Sequence, residues 1–214
     1  MSRIIDRGLE EQSVLLTRMA ELTYETLALS IQGYLKGKSV APEVKEMSAM
    51  LVAMADRVED KTFELIARFQ PVASDLRTIK SYMKIGNDFA RYGRYSLDIS
   101  YISDQVNGLK ECETWVKVYI QEMSEKVLYM VRISIDSLRR HDMTLAKTIT
   151  QTEQEVDKMY LDYLDKLIKE DQTNSKCVLS SALMTRYLER IADHATYVCE
   201  SIVYIATGEK ITLT

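Results

Sequence analysis

Glycine and proline are scarce. Seven glycines and two prolines in 214 residues leave few points where a regular backbone must break. Periodic Leu, Ile, Met, Glu and Lys fill the long intervals between them, so the chain is expected to be almost wholly α-helical. Cysteine is scarce too. Cys112, Cys177 and Cys199 are odd in number and far apart, which suggests neither a metal-type pairing nor a disulfide framework and suits a reducing cytoplasm. A net charge of −4 gives no basic field for nucleic acid. No apolar run approaches the roughly 20 residues of a membrane helix and no signal peptide is visible, so a soluble intracellular protein is expected.

Devices for chemistry are also missing. There is no glycine-rich phosphate loop, and no Ser or Cys nucleophile stands in a recognisable spacing with a histidine. A carboxylate-bridged di-iron bundle needs Glu three residues before His on two helices; neither His141 nor His194 has one. These absences argue against an enzyme. What is present is 24.6 kDa of sequence that is 46% hydrophobic, enough to bury an adequate core.

Six helical segments are expected, at about 3–36, 42–68, 72–104, 111–140, 143–170 and 175–206. Gly33, Gly37 and Ser39 precede Pro42, which suits the first turn of a helix. Gln70-Pro71 ends the second segment, because the residue before proline resists helical geometry. Asn107-Gly108 is the strong turn in the middle, and His141-Asp142 offers a stop followed by an N-cap. The chain therefore divides into three-helix halves, 1–107 and 108–214.

The halves resemble each other. RMAELTYETLALSI (18–31) and EMSEKVLYMVRISI (122–135) share Met-x-Glu early and Ser-Ile late. DRVEDKTFELI (56–66) aligns with EQEVDKMYLDYL (153–164), an offset of about 97, and GNDFARYGRYSLDI (86–99) aligns with TRYLERIADHATYV (185–198), an offset of about 99. An internal repeat of a three-helix unit predicts an all-α fold of two tandem three-helix bundles.

Carboxylates four residues apart stack on one helix face and can grip one cation between them. Six such pairs occur: Asp6/Glu10, Glu21/Glu25, Asp56/Asp60, Asp60/Glu64, Glu153/Asp157 and Glu189/Asp193. About five are expected by chance at this acid content, so spacing alone selects none of them and a solvated face is the default reading. Helical angle adds a little. Met184, Tyr187, Ile191, Ala195, Val198 and Ile202 form an apolar stripe, with Glu189 and Asp193 nearly opposite it; Ile149, Val156, Met159, Tyr163 and Leu167 form another, with Glu153 and Asp157 beside it. Acid pairs from neighbouring helices would converge at a surface groove. His194 points with the core positions and is expected to be a buried, hydrogen-bonded histidine, not a ligand. Trp115, and most of the 13 tyrosines and 11 methionines, are expected to fill the core.

RFQPVASDLR (68–77), KIGNDFARYG (84–93) and YLERIADHATYVCESIVYIATGE (187–209) resemble the PhoU family of phosphate-uptake regulators, in that order and over nearly the whole chain. The resemblance implies the paired three-helix bundles. It implies a negative regulator that acts by contact on the ATPase subunit of the phosphate ABC transporter and on a phosphate-sensing histidine kinase. A homo-oligomer in the cytoplasm, held at the membrane through the transporter, goes with it. It also implies iron or zinc at Glu/Asp-x-x-x-Asp motifs, which fall here at Glu153, Asp157, Glu189 and Asp193. Four oxygen ligands also suit magnesium, manganese or calcium. The first half departs from that pattern: it keeps Asp56 and Asp60 but has Ala90 and Arg94 where acids belong. Either Arg94 supplies the positive charge that a cation supplies in the second half, or it is a solvated arginine. A metal-free helical adaptor of another pathway is the competing reading of the whole chain.

Overall fold

The computed structural model describes residues 4–169 and 174–213. The described residues are 88% helical, and no strand occurs among them. Seven helices follow one another among the described residues: α1 (Ile4–Lys36), α2 (Ala41–Phe69), α3 (Ala73–Val106), α4 (Thr114–Arg140), α5 (Met143–Lys147), α6 (Ile149–Lys169) and α7 (Ser175–Thr207).

The breaks fall where the local chemistry forces them. Pro42 lies in the first turn of α2, where a missing N–H leaves no bond unmade. Gln70, Asn107 and His141 each end a helix in the left-handed conformation with φ of 45°, 57° and 51°. Gly108, at φ 59°, cannot be replaced: a Cβ there would lie 2.1 Å from the Tyr34 carbonyl oxygen. That close approach folds the mid-chain turn onto the end of α1, and the Leu109 N–H donates to the same carbonyl at 3.3 Å. Asp142 caps α5, accepting from the Thr144 and Leu145 N–H groups.

The expected fifth segment, 143–170, is two helices. Thr148 separates α5 from α6 and turns its hydroxyl back to the Leu145 carbonyl at 2.7 Å. Three successive β-branched residues, Thr148, Ile149 and Thr150, weaken the helix at that point.

α1, α2 and α3 form one bundle; α4, α6 and α7, with the short α5, form the other. The two are joined along α3 and α7, and also along α1 and α4. Their cores are not separate. One apolar cluster runs from Leu16, Leu27 and Phe89 in the first bundle through Val127, Val131 and Ile191 in the second. Ile5, Leu65 and Ile79 form a separate small cluster in the first bundle. Tyr34 crosses between the halves and donates its hydroxyl hydrogen to Ser180 Oγ at 3.2 Å. Trp115 sits at the margin of the core, 5.7 Å from the Tyr163 ring, with the Lys166 ammonium 4.1 Å from its own.

One expectation about the cysteines is overturned. Cys112, in the turn between the bundles, is disulfide-bonded to Cys177 in the first turn of α7. The pair is 65 residues apart in sequence, so spacing gives no hint of it; the tight turn at Gly108 is what carries Cys112 back to α7. Cys199 is a free, buried thiol whose pKa is pushed up by desolvation.

Candidate metal centre

Glu153, Asp157 and Asp193 come together where α6 meets α7, each offering a carboxylate oxygen within 4.8 Å of the others. Glu153 is 1% exposed, and its Oε2 is buried with no hydrogen-bond partner. Asp193 is half-buried and Asp157 exposed, so the cluster opens to solvent on one side. Desolvation, followed by the neighbouring Asp157 and Asp193 charges, raises the Glu153 pKa to about 7. Desolvation is also the main cause of the raised pKa values of Asp157 and Asp193. A metal-free cluster thus holds its oxygens close at an electrostatic cost.

Glu189 lies beside this trio but is turned to the arginines. The Arg186 guanidinium donates to both of its carboxylate oxygens at 2.9 Å, and Arg190 Nε lies 3.5 Å away. Arg190 also donates to Asp193 at 3.0 Å. Burial still raises the Glu189 pKa to about 7, with Asp193 the next cause. Of the four residues predicted from sequence, three share a potential cation position and the fourth sits in their field. The pair Glu189/Asp193 is not on an outward face opposite the apolar stripe. α7 packs against α3, α4, α5 and α6, so the side opposite the core stripe is itself covered by α6.

The donor set fits a hard cation. Three carboxylate oxygens from two helices, one of them orphaned and buried, match the oxygen ligands that iron, manganese, magnesium or calcium takes. Sulfur and imidazole are absent from the group.

The first bundle arranges its counterparts differently. An offset of 104 puts buried Leu16, Met19 and Ile31 of α1 onto buried Ile120, Met123 and Ile135 of α4, and 99 puts Ile85, Phe89 and Tyr92 of α3 onto Met184, Leu188 and Ile191 of α7. Both agree with the sequence match. For the remaining pair the burial pattern calls for 98: Leu51, Ala55, Val58 and Leu65 then fall on Ile149, Glu153, Val156 and Tyr163. The match at 97, which set Asp56 and Asp60 opposite Glu153 and Asp157, is off by one residue, about 100° around a helix. Asp56 and Asp60 are exposed, and so is Arg94; none of the ion pairs among the described residues joins them. Of the two readings of Arg94, charge replacement and a solvated arginine, the exposed side chain matches the second, and the acids of α2 point elsewhere. At the positions of Glu153 and Glu189 the first bundle has Ala55 and Ala90, 8% and 4% exposed.

His194 is largely buried and hydrogen-bonded, as its helical angle suggested, but its partner lies in the other bundle. Its Nδ1 is 2.8 Å from Asp88 Oδ1 on α3. Asp88 went unnoticed in sequence reasoning. The available signal was an acid three residues after Ile85 and four before Tyr92, both core positions.

A PhoU domain matches the chain twice, over residues 16–102 and 120–202. This chain belongs to the PhoU family. It is 28% identical to a protein from Clostridium acetobutylicum named phosphate-specific transport system accessory protein PhoU homolog, with 99% of this chain and 98% of that one aligned. A Pseudomonas putida protein of the same name is also 28% identical, over 99% of this chain and 84% of its own length. The crystal structure of PhoU from Pseudomonas aeruginosa superposes with a TM-score of 0.89 at 27% identity, covering 95% of this chain and 99% of that one. PhoU from Streptococcus pneumoniae shares the fold at a TM-score of 0.74 and 23% identity. Among the described residues no helix is long and apolar enough to cross a membrane.

Proposed function

We propose that this PhoU-family protein regulates phosphate uptake, restraining the ATPase subunit of a phosphate ABC transporter and, where one exists, a phosphate-sensing histidine kinase. It acts by protein contact and not by catalysis, from the cytoplasmic side of the membrane and as a homo-oligomer. The observation that carries this reading is the double PhoU-domain match, supported by relatives named accessory proteins of phosphate-specific transport along 99% of the chain. A deletion strain assayed for phosphate uptake and phosphate-responsive expression, with a pull-down against the transporter ATPase, tests it. Normal repression in high phosphate together with no complex refutes it.

Within the same reading, Glu153, Asp157 and Asp193 hold a cation, with Glu189 joining when Arg186 releases it. Iron is the metal that both the family and the oxygen donors favour; zinc is the family's other metal, and magnesium, manganese and calcium suit the donors. A bound cation would offset the mutual repulsion of these acids. A metal-free adaptor remains the second reading because one observation favours it: Arg186 and Arg190 already neutralise part of the cluster. Elemental analysis of protein purified without a nickel column separates the two. The metal reading expects bound metal in the parent and a loss of most of it in Asp193→Ala.

A further inference from the structure

We propose that a cleft between the N-terminal half of α3 and the C-terminal end of α7 binds inorganic phosphate as its monohydrogen dianion. The cleft encloses about 370 Å³. It lies where α7 meets α3, whereas the acid cluster lies where α7 meets α6, so this site stands independently of the metal centre and of the proposed role in uptake.

Three lysines border it: Lys80 and Lys84 from α3, one turn apart, and Lys210 from the segment that follows α7. None of the ion pairs among the described residues involves these three ammonium groups, although the chain as a whole carries a net charge of −4. Lys61 and Arg68 of the first bundle, by contrast, are paired, with Glu11 at 2.8 Å and Glu64 at 2.7 Å. The α3 lysines are also aimed. The Lys80 ammonium lies 5.8 Å from the centre of the Tyr204 ring and that of Lys84 lies 5.3 Å from the Tyr197 ring, so both reach across to α7. Arg77 serves a different purpose. Its guanidinium lies against Gly208, where a cation complements the carbonyl end of α7.

Glu200 gives the cleft its selectivity. Its Oε1 accepts the Leu213 N–H at 3.1 Å, which draws the segment after α7 back along the helix. A carboxylate beside three lysines repels an anion that has no proton to offer, such as sulfate. Monohydrogen phosphate carries one hydrogen and donates it to a carboxylate, while its other oxygens accept from ammonium groups. Ser81, buried at the wall of the cleft and without a hydrogen bond among the described residues, supplies a further donor.

Titration calorimetry at about pH 8 and constant ionic strength tests the site, with inorganic phosphate, glycerol 3-phosphate and sulfate in parallel. Phosphate should saturate one site per chain, and glycerol 3-phosphate, whose phosphoryl group has no proton at this pH, should bind about tenfold more weakly. Sulfate should bind about tenfold more weakly or worse, and Lys84→Ala or Lys210→Ala should each weaken phosphate by roughly tenfold, the worth of one charge-assisted hydrogen bond. Glu200→Gln should raise sulfate toward phosphate. Both lysines are exposed, so the variants should keep their circular dichroism spectrum. No saturable heat from inorganic phosphate, parent-like affinity in the Lys84→Ala/Lys210→Ala double variant, or sulfate or glycerol 3-phosphate binding as tightly as phosphate in the parent protein overturns the proposal.

Discussion

Ala55 in the first bundle and Glu153 in the second occupy the same place, both buried, 8% and 1% exposed. Ala90 and Glu189 repeat the contrast. The first bundle closes its helix seam with methyl groups. The second puts carboxylates there, and desolvation raises the pKa of Glu153, Asp157, Glu189 and Asp193 alike. The three-helix plan therefore does not need the acids. With the acids ionised and no cation present, their desolvation opposes folding, and a bound cation would offset that cost.

The strongest way to break the comparison is to make the halves alike. Ala55→Glu puts a carboxyl into a seam built for a methyl, at a position only 8% exposed. A loss of about 3 kcal/mol or more is expected in urea denaturation at neutral pH with chelator present. A loss below about 1 kcal/mol would show that the first seam has room and solvent for an acid, and the contrast between the bundles would fail.

A second asymmetry is covalent. Cys112–Cys177 fixes the start of α7 to the turn between the bundles, and the described residues of the first bundle have no counterpart. Cys112→Ser should lose about 2–4 kcal/mol relative to the oxidised parent, and the difference should vanish when both proteins are measured in reductant. Equal stability under oxidising conditions would mean that the bridge adds nothing to the second bundle.

The helix breaks were legible because Pro42, Gln70-Pro71, Asn107-Gly108 and His141-Asp142 act on the backbone within a few residues of themselves. The repeat was legible too, but one register was misread. Asp56/Asp60 matched Glu153/Asp157 by identity, while the apolar residues that decide which side faces inward, Leu51 and Val58, required a shift of one more. What no local pattern carried was the meeting of distant segments. Cys112 reaches Cys177 through a turn set by Gly108, Asp88 meets His194 across the bundles, and α6 covers the face of α7 that a single-helix projection leaves to solvent. The choice of acids on α6 and α7 as candidate ligands came from family resemblance; their convergence came from packing.

A third test uses pH on metal-free protein. Glu153 and Glu189 have folded pKa values of about 7 against an ordinary 4.5. Between those values the folded state binds more protons than the unfolded state, so stability falls as pH rises. With chelator present, the melting temperature should therefore drop from pH 5 to pH 8, and Glu153→Gln should flatten the drop. In the parent, a cation that binds the ionised acids should restore stability at pH 8 and lose its effect toward pH 5, where protons compete for the same oxygens. A flat or rising chelated profile would remove the electrostatic distinction between the bundles.

The smallest effect is expected at Asp56 and Asp60, and its smallness is informative. Both are exposed, neither takes part in an ion pair among the described residues, and Asp60 stands four residues from Asp56 and from Glu64. Replacing Asp60 with alanine removes like-charge repulsion worth a few tenths of a kcal/mol along the helix and otherwise touches no packed contact. Stability should stay within about 0.5 kcal/mol of the parent, with any change toward greater stability, and metal content should be unchanged. The same substitution made at Glu153 should remove metal, because a shift of 98 and not 97 relates the two helices. If Asp60→Ala instead lowers metal content, the first bundle has its own site, the burial-based register is wrong, and the two halves are functionally alike after all.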